Sequence, residues 1–207
     1  MDLLKIALSK GRILAETLEL FNKINMDCDG VSEDSRKLFF DFKEYGIRMI
    51  LAKPTDVPTY VEYGVADIGV AGKDVLMEDK KDVFELMDLK LAKCRMVVAV
   101  PEVQSSNTPI YRVATKYPRI AEEYFVKRGF PVEIIKLHGS VELGPILGLS
   151  DAIVDIVSTG NTLKKNYLKI LEEICPISSR LIANQVSFRL KSDVIMDLME
   201  KLGRRLS

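Results

Sequence analysis

The chain has 207 residues, 47% of them apolar and 29% charged, and its 30 basic and 30 acidic side chains cancel to a formal charge of zero. That balance excludes a general binder of nucleic acid or membrane surface, either of which needs a basic excess, while leaving room for local cations that hold a small anion. The length can bury a good core and fits one large domain or two small lobes. The segment from Met1 to Lys10 carries charges inside its only apolar stretch, so no signal peptide is expected, and no run approaches the ~18 residues of a membrane span. A cytoplasmic protein is expected. Cys28, Cys94 and Cys175 form no C-x-x-C pair, which argues against zinc and for core packing. The single histidine, His138, is assigned a structural role.

Taken in chain order, short β-rich apolar runs alternate with helical periodicity. Leu3 to Leu8 reads as a strand, and Ile13 to Lys23 as a helix with Leu14, Leu18 and Phe21 on one face. A strand is expected from Gly46 to Ala52, then a turn from Lys53 to Pro58 leading into a short helix, then a strand from Ala66 to Ala71. Met96 to Val100 suits a strand buried on both faces. Gln104 to Pro109 is a polar loop. Tyr111 to Thr115 is a strand, and a helix opens near Pro118 and stops at Gly129 in a left-handed cap. Val132 to Leu137 is a strand, Gly139 to Leu149 a turn or short helix, and Ala152 to Val157 a strand. Leu163 to Ile174 reads as a helix and Arg180 to Phe188 as a strand. The last helix has Val194, Ile195, Leu198, Met199 and Leu202 on one face and Gly203, Arg204 and Arg205 at its end.

These elements predict an α/β fold of two lobes, each a mainly parallel or mixed sheet flanked by helices. Lobe I is discontinuous, 1–92 plus 179–207, and lobe II is 93–178. Such lobes would enclose a cleft, which is where the active site is expected.

The most informative stretch is Ala152 to Thr162. A β-branched run containing one acid, Asp155, is followed by Ser158, Thr159, Gly160, Asn161 and Thr162 and then a helix start. A strand–turn–helix of this kind presents unpaired N–H groups that can hold a phosphate. Hydroxyls add donors, and Gly160 lets the backbone approach closely. Asp155 is costly to desolvate unless something donates to it, and vicinal ribose hydroxyls meet that demand. The plain alternative is a capped helix with Asp155 in water at a strand end.

From Glu142 to Leu163, E-L-G-P-I-L-G-L-S-D-A-I-V-D-I-V-S-T-G-N-T-L resembles the signature of the ATP phosphoribosyltransferase family. Ile6 to Arg12, Asp56 to Asp74 and Ile182 to Phe188 resemble other blocks of that family, so the likeness covers nearly the whole chain. It implies a periplasmic-binding-protein-like two-lobed fold. The implied reaction transfers 5-phosphoribosyl from phosphoribosyl pyrophosphate to N1 of the adenine of ATP, releasing pyrophosphate, at the first step of histidine biosynthesis.

The resemblance implies roles residue by residue. Asp155 holds the ribose hydroxyls, and Ser158, Thr159, Gly160, Asn161 and Thr162 hold the 5-phosphate. Lys10 and Arg12 face pyrophosphate or triphosphate, and Glu142 lies near the ribose or the metal. Lys10, Gly11, Arg12, Lys53, Asp67 and Gly69 form the ATP-binding set. Ser9 stands where many relatives have proline, and Lys53 where many have arginine, which turns a bidentate contact into a point charge. The implied cofactor is Mg²⁺, bound chiefly through substrate phosphates without a dedicated protein site. The chain resembles the short form of the enzyme, so the implied partner is a histidyl-tRNA-synthetase-like regulatory subunit, with a homodimer inside a hetero-oligomer. The competing reading is a two-lobed anion or nucleotide binding protein without catalysis.

Overall fold

The structure, a computed structural model, describes residues 3–105 and 108–206. The expected loop at Gln104 to Pro109 therefore lies in part, at Ser106 and Asn107, outside the described residues. Two compact units result: the chain through Ala92 together with everything from Ser178, and Lys93–Ile177. Ser178 goes with the first unit because its carbonyl accepts from the Lys73 N–H at 3.0 Å and its hydroxyl donates to Asp88 at 2.8 Å.

The first unit opens with β1 (Leu4–Ser9) and α1 (Arg12–Lys23), followed by β2 (Phe39–Phe42) and β3 (Ile47–Ala52). Then come α2 (Val57–Glu62), β4 (Ile68–Gly72), α3 (Lys73–Asp79) and β5 (Phe84–Asp88). β2, α3 and β5 were not expected from the sequence. In β2 the alternation is hidden because all but Asp41 is phenylalanine, although only Phe40 and Phe42 are buried.

The second unit contains β6 (Cys94–Pro101), β7 (Arg112–Thr115), α4 (Pro118–Lys127), β8 (Glu133–Lys136), α5 (Leu143–Ile146), β9 (Ala152–Val157), α6 (Asn161–Lys165) and β10 (Leu168–Ile177). α4 ends as expected at Gly129, with φ of 73°. The helix expected from Leu163 to Ile174 is not there. α6 is a single turn, Tyr167 takes φ of 56°, and β10 then pairs antiparallel with β6 across two register shifts. Lys, Leu and Glu favour a helix locally, but the edge of β6 offers a ladder of backbone partners that outweighs the propensity.

The chain returns to the first unit as β11 (Ser179–Ala183), α7 (Gln185–Leu190) and α8 (Ser192–Leu206). The strand expected to Phe188 stops at Ala183. Asn184 caps a helix there, its side-chain oxygen accepting from the amides of Val186 and Ser187 at 3.0 Å each. Its amide group donates to the carbonyls of Val61 and Glu62, so the same residue also closes α2.

Both sheets are mixed. In the first the order is β2-β3-β1-β4-β11-β5, with β3, β1 and β4 parallel. In the second it is β10-β6-β9-β7-β8, with β9, β7 and β8 parallel. Alternate residues of β1 serve two cores: Ile6 and Leu8 pack with Phe21, Met49 and Ile195, and Ala7 with Val57, Val61 and Ile182. α8 buries Ile195, Leu198 and Leu202, while Val194, expected on that face, is exposed. The second core gathers Val97, Ala99, Ile153, Val157 and Leu163. Cys28 is buried as expected, whereas Cys94 and Cys175 are half-buried. Among the described residues no helix is long and apolar enough to cross a membrane.

Candidate functional site

In the second unit β9, β7 and β8 point the same way, so their carboxyl ends share one edge of the sheet, the usual side for ligands in α/β folds. Ser158 to Thr162 leave β9 at that edge. Gly160 has φ of 78°, a left-handed turn that a residue with a Cβ adopts at a cost of roughly 1 kcal/mol or more. The Thr159 hydroxyl accepts weakly from the Asn161 N–H at 3.4 Å, and the Lys164 N–H closes on the Gly160 carbonyl at 3.1 Å. Ser158, Thr159, Asn161 and Thr162 are exposed. Asp155, half-buried three residues earlier, accepts from the Ile156 amide at 2.9 Å.

The shortness of α6 changes the chemistry of this turn. A five-residue helix has little macrodipole, so an anion here is held by first-turn amides and hydroxyls, not by a long helix axis. Sequence reasoning missed Asn166, whose side-chain amide donates to the Thr162 carbonyl at 2.9 Å and ties down the far end of the turn. A residue read as the interior of a long helix gave no hint of that role.

Glu142 and His138 follow β8 from the same carboxyl edge. Glu142 is half-buried at the N-terminus of α5, with no side-chain capping bond, and His138 is exposed. The edge thus gathers Glu142 with the turn after Asp155.

The first unit repeats the arrangement with β1, β3 and β4. At their carboxyl ends lie Lys10, Gly11, Arg12 and Lys53. The Ser9 hydroxyl donates to the Val70 carbonyl at 3.0 Å and the Lys10 N–H donates to the Ala52 carbonyl at 3.0 Å, fixing the exit of β1. Gly11, at φ of 93°, turns the chain into α1. The Arg12 guanidinium donates to the Ala92 carbonyl at 2.9 Å, and Glu16 accepts from the Ala92 N–H at 2.6 Å. Arg12 is therefore held in place by its own chain. Lys53 is exposed.

Asp67 and Gly69 do not join this edge. Asp67 precedes the first residue of β4, so five residues of strand, roughly 16 Å at 3.3 Å each, separate it from Gly72 at the carboxyl end. Its carboxylate accepts from the Lys5 amide at 2.8 Å, the Ser187 hydroxyl at 2.7 Å and the Lys191 ammonium at 2.8 Å. Burial opposes its charge, but these three donors outweigh the penalty and hold its pKa below the ordinary value. A Cβ on Gly69 would meet Val61 at 2.8 Å and Val57 at 2.9 Å, so this glycine serves the packing of α2 on β4. The geometry gives both residues a bracing role, at a distance from the edge that carries Lys10 and Lys53; spacing alone could not separate one end of a strand from the other.

A family model described as "HisG: ATP phosphoribosyltransferase" matches residues 53–204. An ATP phosphoribosyltransferase of Caldanaerobacter subterraneus subsp. tengcongensis is 53% identical over 203 residues, 98% of this chain and 97% of that one. One from Geobacter metallireducens is 49% identical over 210 residues, 99% of each. Among solved structures, a chain of the ATP phosphoribosyl transferase (HisG:HisZ) complex of Thermotoga maritima superposes with a TM-score of 0.83 at 38% identity, covering 99% of this chain and 98% of that one. The periplasmic aliphatic sulphonate binding protein SsuA of Escherichia coli superposes at 0.64 with 12% identity, a likeness of fold alone. With the signature in place on β9 and the match running nearly end to end, the chain belongs to the ATP phosphoribosyltransferase family.

Proposed function

We propose that the chain transfers the 5-phosphoribosyl group from phosphoribosyl pyrophosphate to N1 of the adenine of ATP, the first step of histidine biosynthesis. The bond from ribose C1 to the pyrophosphate oxygen breaks, its electron pair leaves with pyrophosphate, and adenine N1 bonds C1. No protein nucleophile is required, so catalysis reduces to positioning and charge stabilisation. The observation that carries this reading is the Ser158 to Thr162 turn with Asp155 behind it, at the carboxyl edge of β9 and inside the segment matched by the family model.

In this scheme Ser158, Thr159, Gly160, Asn161 and Thr162 hold the 5-phosphate, and Asp155 holds the ribose hydroxyls and offsets positive character at C1. Lys10, Gly11, Arg12 and Lys53 serve the phosphates of ATP or pyrophosphate, and Glu142 assists near the ribose. The oxygen donors at this edge, Asp155 and Glu142, suit an Mg²⁺ ion that is held mainly by substrate phosphates, where it would neutralise charge on the leaving group. For regulation the proposed partner is a histidyl-tRNA-synthetase-like chain. Its support is the Thermotoga maritima relative, which comes from a HisG:HisZ complex.

The test is to mix the protein with ATP, phosphoribosyl pyrophosphate and Mg²⁺, with and without such a partner, and follow the absorbance of N1-(5-phosphoribosyl)-ATP. Turnover in either arm supports the reading. None in both favours a binding protein without catalysis.

A further inference from the structure

At the carboxyl edge of the second sheet Lys116, an exposed cation on a fixed stretch of backbone, has no assigned role. β7 ends at Thr115, which is level with Val154 of β9, so the next residue, Lys116, leaves the sheet at the level of Asp155. The backbone on both sides of Lys116 is fixed by the buried Thr115 hydroxyl. It donates to the Val154 carbonyl at 2.7 Å and accepts from the Tyr117 N–H at 2.8 Å. The Leu137 N–H closes on the Thr115 carbonyl at 2.9 Å from the other neighbour. The stem of Lys116 runs towards the loop after β8, where a Cβ on Gly139 would lie 4.0 Å from its Cε. The same loop holds Ser140 at φ of 46°, a left-handed conformation uncommon outside glycine and concentrated at functional sites.

Of the lysines at this edge, Lys136 ends β8 and Lys164 and Lys165 lie in α6, whereas Lys116 leaves β7, the strand between β8 and β9. Arg95, paired in register with Val157 and so near the same edge, is already bonded to Glu173 at 3.1 Å. Among the described residues no carboxylate forms an ion pair with Lys116. A phosphosugar whose 5-phosphate rests on Ser158 to Thr162 and whose hydroxyls reach Asp155 has its C1 at the far end from that phosphate. Adjacent strands are about 4.8 Å apart, within the reach of a lysine stem, so a cation one strand over from Asp155 can meet what C1 carries.

The geometry points to Lys116 as the residue of this unit that binds the pyrophosphate of phosphoribosyl pyrophosphate and stabilises it as it departs, an inference that rests on the phosphosugar reading of the β9 turn. When the C1–O bond breaks, the electron pair goes to the pyrophosphate oxygen, and the ammonium stays protonated and pairs with the new charge. No proton moves.

The test is calorimetric titration of Mg²⁺-pyrophosphate and, separately, ribose 5-phosphate into wild type, Lys116→Met and Lys116→Arg, with steady-state kinetics and thermal unfolding in parallel. Loss of one charge-assisted contact should weaken pyrophosphate binding by about tenfold or more in Lys116→Met. Ribose 5-phosphate binding and the KM for ATP should stay within about twofold, kcat should fall, and Lys116→Arg should recover most of the loss. Unchanged pyrophosphate affinity in Lys116→Met overturns the inference. So does an equal loss of both ligands, which would put Lys116 at the sugar phosphate or in the fold. If wild type binds pyrophosphate but not ribose 5-phosphate, the reading of the β9 turn fails and takes the inference with it.

Discussion

Asp67 and Lys191, 124 positions apart in the chain, meet in a largely buried ion pair at 2.8 Å, and Ser187 and the Lys5 amide complete the shell around the same carboxylate. The start of β4, the first strand of the chain and the segment joining α7 to α8 are thereby locked together. Removing one partner of a buried pair leaves the other charge uncompensated, so Asp67→Ala should cost about 3 kcal/mol of stability. Chemical denaturation checks this. The variant should keep its KM for both substrates if folded, because Asp67 lies at the opposite strand end from Lys10 and Lys53.

The same carboxylate makes a pH prediction. Its folded pKa lies below the ordinary 3.8, so between those two values the unfolded chain binds the extra proton. Its contribution is complete above the ordinary value and fades as pH falls through the lowered one. Wild type should lose more stability than Asp67→Asn as the pH drops from about 5 into that range, and equal slopes in acid unfolding curves would count against the pair.

Gly69→Ala separates packing from ligand contact. The added methyl would overlap Val61 and Val57, whose nearest atoms lie 2.8 and 2.9 Å away, and overpacking costs about 1–3 kcal/mol. A drop in Tm with an unchanged KM for ATP is expected.

Gly160→Ala and Thr159→Ala act on the turn itself. The first strains a left-handed residue and the second removes a hydroxyl beside the expected phosphate; each should raise the KM for phosphoribosyl pyrophosphate by about tenfold, with Tm lowered by about 2–4 °C in the first and little moved in the second. Asp155→Ala should do the same and also lower kcat.

Cys28 offers a check on the core of the first unit. Burial, followed by the nearby charges of Asp27, Asp29 and Glu44, pushes its thiol up to about 12, so little of it is thiolate at pH 8. Alkylation of the native protein followed by peptide mapping should label Cys94 and Cys175 well before Cys28.

Much of this was legible in the sequence, for reasons that differ by element. β9 was read to the residue because a β-branched run bounded by Asp151 and Ser158 has no rival interpretation, and α1 because Leu14, Leu18 and Phe21 repeat on one face. β10 was misread because Leu168 to Ile177 satisfies helical spacing as well as alternation, and only its pairing with β6 decides. Asn184 reads in the sequence as a strand residue because capping depends on which amides follow it in space. At the candidate site the acid, the hydroxyls and Gly160 were legible as one contiguous motif. The displacement of Asp67 and Gly69 from the carboxyl edge was not, since the sequence block that contains them runs the full length of a strand. The tether from Arg12 to Ala92 spans 80 positions and leaves no local trace.

The most direct test of the central claim is to titrate ribose 5-phosphate into isotopically labelled protein and record amide chemical shifts. The largest changes should fall on Ser158 to Thr162 and spread to Asp155, and in Gly160→Ala they should need about tenfold more ligand to saturate. Shifts confined to other segments, with Ser158 to Thr162 unmoved at saturation, would contradict it.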